Sequence, residues 1–267
     1  MPQSKVVQVD KYQTLKVING QVEKIDLRTN AVLDRLGPAA TDPASADPYR
    51  RAAKLRADAG IANTPPAVDL GGNCPTDWNQ QHIQSFTTTW TVPPPPSDST
   101  STGTYFIWNG LAGGALQPVL QWGNGTAAYQ IANWYYVGGQ YAHGTYKSVS
   151  PGDQLTGTIQ YVSQNGSNYT YKESFAGYPD QDVTVNRTGS ADGVIECYES
   201  YVGGDATKNP NASYERMTNI TLADQPGYST PATIGWAGDS SKPILSRVIS
   251  NSSSNGEVDL YFVNSPS

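Results

Sequence analysis

The chain has 267 residues, of which 26 are Gly and 19 are Pro, and only 15% are charged. Globular proteins average about 25% charged residues, and coiled coils or helical bundles depend on Ala, Glu, Lys, Leu and Arg, so those helical classes are excluded. The 17 Tyr and 6 Trp exclude long disorder, because disordered chains are poor in aromatic residues. No stretch approaches the roughly 18 consecutive apolar residues of a membrane helix, so we expect a turn-rich protein that does not enter a membrane.

Charge is distributed unevenly along the chain. Residues 1–70 contain ten Lys or Arg and eight Asp or Glu, whereas residues 71–267 contain seven and fifteen. An acidic body with so few basic side chains cannot neutralise many phosphates, so nucleic acid is not expected as a partner. An acidic sheet protein suits a neutral, basic or polymeric substrate, and we expect a monomer.

Residues 1–72 form an N-terminal arm whose composition differs from that of the rest. Residues 6–22 indicate short extended segments joined by a turn. Asp47-Pro48 is typical of a helix N-cap followed by Pro at the first helical position, and it predicts a short basic helix over 49–59. The arm either packs on the body or acts as a basic pro-segment that covers an acidic cleft.

Residues 73–267 form the second predicted domain, in which the pattern changes to strands. Segment 85–92 is rich in β-branched and aromatic residues and stops at four prolines. Similar segments recur between Gly, Pro, Asn or Ser turns. The further predicted strands are 103–108, 117–122, 129–136, 144–149, 154–162, 168–175, 183–185, 193–199, 212–222, 233–236, 244–249 and 258–263. This spacing predicts an all-β fold, an antiparallel sandwich of two sheets.

The two cysteines, Cys74 and Cys197, and the two histidines, His82 and His143, have no zinc-site spacing. No metal and no other cofactor is therefore expected. The cysteines form either one disulfide or two buried free thiols, and the sequence leaves both open. Seven Asn-x-Ser/Thr sequons favour a secreted protein, although the first residues lack the apolar core of a signal peptide and an intracellular location is the alternative.

Carboxyl groups are scarce in the body, which contains five Glu, and two of them share the predicted strand 193–199. Because side chains alternate along a strand, Glu196 shares a face with Val194 and Tyr198, while Glu199 lies on the other. A carboxyl group among apolar or aromatic neighbours has its ionised form disfavoured, which suits acid–base catalysis. The alternative is an edge strand with both Glu in water.

The predicted strand 117–122 carries amides instead of acids. Gln117, Val119 and Gln121 alternate to one face. An amide N–H in such a place can stabilise an oxyanion. The alternatives are a hydrogen bond across the sheet or recognition of a sugar hydroxyl.

The order of these segments resembles the glutamic peptidases, or eqolisins, over residues of about 77–222. The resemblance rests on a Gly-Thr-x-aromatic strand from Gly103, a glycine turn, a Leu-Gln-x-Gly segment ending at Gly123, an aromatic-rich strand, a Gly-Asp turn and an apolar-Ile-Glu strand. It implies a jelly-roll sandwich similar to concanavalin A and the activity of a secreted fungal acid protease. The catalytic dyad that it implies is Gln121 and Glu196.

Three positions depart from the pattern of that family. Asn109 and Asn133 stand where acidic residues are usual, and Cys197 follows Glu196 where Asp is common. These changes neutralise the acidic surroundings of the implied dyad. The residues predicted to bind substrate are Trp108, Asn109, Gln117, Trp122, Asn133, Trp134 and Tyr136.

Two functional hypotheses follow from these residues. In the first, Glu196 acts as general base and Gln121 as oxyanion donor in the hydrolysis of peptide bonds. In the second, the aromatic and amide side chains form the binding face of a carbohydrate-binding or carbohydrate-active jelly roll, such as a lectin-like protein, a glycan hydrolase or a lyase. The fold alone does not choose between them.

Overall fold

The computed structural model describes residues 6–40, 72–123, 125–202, 205–237 and 246–262. Two 3-10 turns, Pro179–Gln181 and Ala206–Lys208, are the helical elements of these residues, and neither could cross a membrane. The predicted helix over 49–59 lies outside the described residues. The strands are β1 (Val6–Gln8), β2 (Gln13–Ile18), β3 (Gln21–Asp26), β4 (Val32–Pro38), β5 (Gly72–Asn73), β6 (Thr76–Asp77), β7 (Ile83–Thr91), β8 (Tyr105–Leu111), β9 (Leu116–Trp122), β10 (Tyr129–Val137), β11 (Gln140–His143), β12 (Lys147–Ser148), β13 (Gln154–Asn165), β14 (Asn168–Phe175), β15 (Val183–Thr188), β16 (Val194–Ser200), β17 (Tyr214–Asp224), β18 (Ser246–Ser250) and β19 (Gly256–Tyr261).

The fold is a β-sandwich of two sheets, which confirms the predicted class. The nine-stranded sheet has the order β1-β11-β10-β9-β8-β16-β5, with β12 beside β10 and β6 beside β16. The seven-stranded sheet has the order β15-β14-β13-β7-β17-β19-β18. Both sheets are antiparallel except where β1 runs parallel to β11 at an edge. The strands that carry the predicted site residues, β8, β9, β10 and β16, lie side by side in the centre of the nine-stranded sheet.

Most predicted strands are present, with shifts of a few residues at their ends. The segment 168–175 matches β14, and 154–162 continues to Asn165, where a tight hairpin pairs it with Asn168. Within the predicted segment 144–149 only β12 is a strand. The predicted segment 233–236 forms one isolated β-bridge instead of a strand. Strand β11 was not predicted. Gly138 and Gly139, both with positive φ, turn the chain directly from β10 into it.

Residues 6–40 pack on the sandwich and do not project from it. Strands β2, β3 and β4 form a small sheet whose first hairpin turns at Asn19 and Gly20, both with positive φ as a type I′ turn requires. Leu15 and Val22 are buried in the main core, and the Leu15 N–H donates to the Tyr135 hydroxyl at 3.2 Å. The described part of the arm is therefore an integral layer of the molecule.

The central strands of the nine-stranded sheet are buried on both faces. We call the face toward the seven-stranded sheet the inner face and the opposite one the outer face. Inner side chains such as Ile107, Leu120 and Tyr135 belong to the main core, and outer ones such as Val119 and Ala132 form a second buried cluster. Strands β8 and β9 are accordingly buried at every residue, although each also contains polar side chains.

Cys74 and Cys197 form a disulfide, which decides between the two possibilities left open by the sequence. The bond ties the chain just before β6 to the middle of β16. Both cysteines are buried and belong to the outer-face cluster. The disulfide therefore fixes the strand that carries Glu196 and Glu199.

Candidate functional site

Position along each strand decides which predicted site residues can meet. On β8 and β10 the even-numbered residues face outward, whereas on β9 and β16 the odd-numbered residues do so. Neighbouring residues in the sequence therefore lie on opposite faces of the sheet. The prediction combined neighbours such as Trp108 and Asn109, and only one of each pair can line a common surface.

Gln121 and Glu199 share the outer face. Phe106 on β8 pairs with Gln121 on β9 at one side and with Glu199 on β16 at the other, so the three stand in one cross-strand row. Two strand spacings, about 9–10 Å, separate the backbones of Gln121 and Glu199. Both side chains are almost completely buried. An amide and a carboxyl group are thus set on either side of one phenyl ring.

The carboxyl group of Glu199 is oriented by two donors. Trp108 Nε1 donates to its Oε2 at 3.3 Å, and the Tyr201 hydroxyl donates to its Oε1. Gln121 differs, because neither its Nε2 nor its Oε1 has a hydrogen-bond partner among the described residues. Buried amides normally have partners, so this one is exceptional. The described residues therefore leave both polar atoms of this amide unsatisfied.

The predicted pairing of Gln121 with Glu196 is wrong. Glu196 faces inward with Val194 and Tyr198, and the Thr88 hydroxyl of the opposite sheet donates to its Oε1 at 2.5 Å. The whole thickness of the nine-stranded sheet separates its carboxyl group from the Gln121 amide. Burial raises the pKa of Glu196 well above its usual value, as expected from its neighbours, but in the sandwich core and not in a groove.

The residues predicted to bind substrate divide between the faces in the same way. Asn109, Trp122 and Asn133 face inward, so they lie on the opposite side of the sheet from Gln121, and their contact with substrate stays a prediction. Asn109 Nδ2 donates to Gly157 O at 3.3 Å, Asn133 Nδ2 to Gln181 O at 2.8 Å, and Trp122 Nε1 to Ser101 O at 3.1 Å. These bonds join the nine-stranded sheet to the structure beneath it. The residues on the outer face are Trp108, Gln117, Trp134 and Tyr136.

Aromatic rings cover the β10–β11 end of the outer face. The His143 ring lies 4.5 Å from that of Trp134 and 4.6 Å from that of Tyr146, both measured between centroids. Tyr141 adds edge contacts to Trp134 and Tyr136. Burial lowers the pKa of His143, and its Nδ1 lies 2.6 Å from the Gly144 carbonyl oxygen, so the neutral ring carries its proton on Nδ1.

Glu199, Tyr201, His143 and Tyr146 are members of this face that the sequence did not assign to the site. For Tyr201 a signal existed, because it follows Glu199 by two residues and so extends the same alternation. No such signal existed for Glu199, because apolar residues flank both glutamates of β16.

Gln117 lies on the outer face, but its Nε2 donates to Gly114 O at 2.5 Å in the β8–β9 turn. In the part of the chain that the structure describes, no cluster of three His, Cys, Asp or Glu could hold a metal.

Comparisons with known proteins give distant likenesses. No family model and no curated protein matches the chain. Among solved structures it is similar to scytalido-glutamic peptidase in complex with a transition state analog inhibitor, with a TM-score of 0.44 and 15% identity over 74% of this chain and 100% of that one. It is also similar to the alginate lyase from Klebsiella pneumoniae, with a TM-score of 0.21 and 8% identity over 72% of this chain and 58% of that one.

Proposed function

We propose that the protein is a hydrolase of peptide bonds that uses Glu199 as general base and Gln121 as oxyanion donor. The observation that carries this proposal is the buried Gln121 amide, which has no partner among the described residues and shares a cross-strand row with an oriented carboxyl group. A buried donor without a partner costs stability, about 1–3 kcal/mol. Such a cost is typical of groups kept for a function.

The reaction follows from the two side chains. The carboxylate of Glu199, held by Trp108 and Tyr201, takes a proton from a water molecule whose oxygen attacks the carbonyl carbon of the peptide. Gln121 Nε2–H donates to the negatively charged oxygen of the tetrahedral intermediate. Glu199 then returns its proton to the amide nitrogen as the C–N bond breaks. The products are a free carboxyl group and a free amine.

The distribution of carboxyl groups favours peptide hydrolysis over glycoside hydrolysis. Most glycosidases need two carboxyl groups on either side of the bond that they cleave. Among the strand residues that the structure describes, Glu199 is the acidic side chain on the outer face, because Asp77 and Glu196 both face inward. One carboxyl group with an amide fits amide-bond hydrolysis better than that pair.

Carbohydrate binding is the second candidate, and the aromatic cluster favours it. The His143 ring is inclined by 33° to that of Trp134 and by 30° to that of Tyr146, whereas the rings of Trp134 and Tyr146 are inclined by 56° to each other. Such a cluster of rings provides an apolar surface against which a sugar ring can pack. In this alternative the outer face binds a polysaccharide without Glu199 acting as a base.

We also propose that the protein is secreted. The Cys74–Cys197 disulfide supports this location, because structural disulfides persist in oxidising compartments. The sequence-based expectation of secretion then no longer depends on sequons alone.

The test compares two glutamates of one strand. Glu199→Gln should abolish cleavage of a denatured protein substrate at acidic pH, and Gln121→Ala should reduce it by about 10²–10³. Glu196→Gln is the matched control, because it makes the same chemical change on the inner face and should leave the mechanism in place. New amino termini are measured for the intact chain and after limited proteolysis, since the outer-face side chains are buried in the intact chain.

Three outcomes decide the matter. Loss of activity in Glu199→Gln with retention in Glu196→Gln supports the proposal. Full activity in Glu199→Gln refutes it. Absence of cleavage together with binding of an oligosaccharide that is lost in Trp134→Ala identifies the second candidate instead.

A further inference from the structure

A row of three polar side chains and one proline crosses the inner face of the nine-stranded sheet. Glu196 on β16 pairs with Asn109 on β8, and Pro118 on β9 pairs with Asn133 on β10. Strands β8 and β9 keep one register from Tyr105 with Trp122 to Leu111 with Leu116, and this register sets Asn109 beside Pro118. The row therefore runs without a break across four central strands.

The seven-stranded sheet meets this row with polar groups of its own. Thr88 donates to Glu196 at 2.5 Å, the Gly157 carbonyl oxygen accepts from Asn109 at 3.3 Å, and the Glu173 carbonyl oxygen accepts from Asn133 at 3.3 Å. Gly157 lies so close that a Cβ atom there would stand 2.7 Å from Asn109 Oδ1 and 2.8 Å from Pro118 Cβ. We call these seven residues the inter-sheet belt: Thr88, Asn109, Pro118, Asn133, Gly157, Glu173 and Glu196.

The belt contains two carboxyl groups with no measurable exposure to solvent, those of Glu173 and Glu196. Neither oxygen of Glu173 nor the Oε2 of Glu196 makes a hydrogen bond of normal geometry with the described residues, and the same is true of Oδ1 in both asparagines. The Gln117 backbone N–H lies near the Glu173 carboxyl group and partly opposes the effect of burial on its pKa. Ionised carboxylates in such a place would need compensating donors or cations. Neutral carboxylic acids instead bring O–H donors that suit the unpaired amide oxygens.

The other titratable groups of the inner face do not supply that compensation. Toward Glu196 they are Asp77 on β6, Tyr105 on β8, Tyr198 on β16 and Glu215 on β17, and toward Glu173 they are Tyr135 on β10, Tyr171 on β14 and Arg187 on β15. Asp77 already accepts hydrogen bonds from Asn79, Gln80 and Gly235. The charge of Arg187 acts on Tyr171. Glu215 and the tyrosines are acids themselves, so they cannot balance a second negative charge.

We propose that the inter-sheet belt is an acid-dependent lock, in which protonated Glu173 and Glu196 allow the two sheets to pack closely and their ionisation loosens the sandwich. This inference does not depend on the proposed enzymatic function, because it concerns the inner face and its measurement is stability. Strands β8, β9 and β16 also carry the outer-face residues, so loosening of the lock would disturb that face as well.

The direction of the pH effect follows from burial. Desolvation raises the pKa of Glu173 and of Glu196 well above the usual value of 4.5, and it raises that of Glu215 to about 8. Below about pH 4.5 these groups are neutral in both folded and unfolded chains, and the stability is fully present. Above that pH the unfolded chain releases protons that the folded chain retains. The folding equilibrium constant then falls by up to about tenfold per pH unit for each such carboxyl group until its folded pKa is reached.

The experiment measures urea unfolding of the wild type and of the double variant Glu173→Gln/Glu196→Gln at several pH values from 4 to 8. The ratio of their folding constants removes the contributions of all other groups. We expect this ratio, wild type over variant, to fall by up to about a hundredfold per pH unit above pH 5. Glu257→Gln is the matched control, because Glu257 is partly exposed and paired with Arg216, and it should leave the wild-type slope nearly unchanged.

A ratio that stays constant from pH 4 to 8 would overturn the lock. If the double variant does not fold, the infrared spectrum of Glu215→Gln at neutral pH decides the question, because this variant removes the buried glutamic acid outside the belt whose pKa is raised to about 8. A carbonyl band of protonated carboxylic acid, which disappears together with the folded structure as the pH is raised, supports the proposal. Absence of that band from the folded protein at neutral pH refutes it.

Discussion

Gly157→Ala should weaken the contact between the two sheets, because the added methyl group has no room between them. The new Cβ would stand 2.7 Å from Asn109 Oδ1, 2.8 Å from Pro118 Cβ and 2.9 Å from Trp90 Cη2, all closer than real Cβ atoms approach. Gly157 does not have a positive φ, so backbone strain adds nothing. Overpacking costs about 1–3 kcal/mol. A displaced Gly157 carbonyl would leave the buried Asn109 amide without its acceptor, a further 1–3 kcal/mol or so.

The reduced flexibility of the unfolded chain offsets about 0.4–1 kcal/mol of this loss, so the net destabilisation should be about 3 kcal/mol. Urea unfolding at pH 4 measures this loss of free energy of unfolding. Gln160→Ala, on the exposed face of the same strand, is the control, and its free energy of unfolding should differ little from that of the wild type. In an Asn109→Ala background the cost should shrink, because the nearest clashing atom is gone. A change below about 0.5 kcal/mol would show that the sheets are not in close contact at Gly157.

Two further predictions concern the attachment of the N-terminal residues and of β16. Replacing Cys74 and Cys197 by Ala should cost about 5 kcal/mol in the chain-entropy model, because the two are 123 residues apart, and a loss below about 1 kcal/mol would contradict that model here. Leu15→Ala should cost about 2–5 kcal/mol, since Leu15 is fully buried in the main core. Val32→Ala is the control, because the Val32 side chain is 42% exposed. If both variants lower the free energy of unfolding in urea by the same small amount, the N-terminal sheet is not firmly packed.

The sequence was sufficient for the fold class because strand and turn signals are local. Segments such as 85–92 and 168–175 combine β-branched or aromatic residues with clear boundaries, and both are strands in the structure. Strand β11 was missed because its four residues follow a Gly-Gly turn with no separate pattern of their own. The pairing order of the strands involves partners far apart in the chain, and nothing local encodes it.

The site was harder to predict because the decisive quantity is the face to which a strand turns each residue. Alternation correctly placed Gln117 and Gln121 together and correctly separated Glu196 from Glu199. It could not say which glutamate accompanies Gln121, because β16 is buried on both faces and its apolar residues give no direction. The resemblance to a family selected Glu196, and the cross-strand pairing with Phe106 selects Glu199.

The position of β7 in the middle of the seven-stranded sheet has a consequence for the newly synthesised chain. Its two neighbours are β13 and β17, and Thr89 pairs with Thr156 on one side and Thr218 on the other. Strand β8 likewise pairs with β16, which is made long after it. While the ribosome is still adding residues before Asp224, β7 has one open edge, and open edges invite pairing with other chains. Productive folding must therefore wait for the last third of the polypeptide, and a holding chaperone or slow release would protect β7 until then.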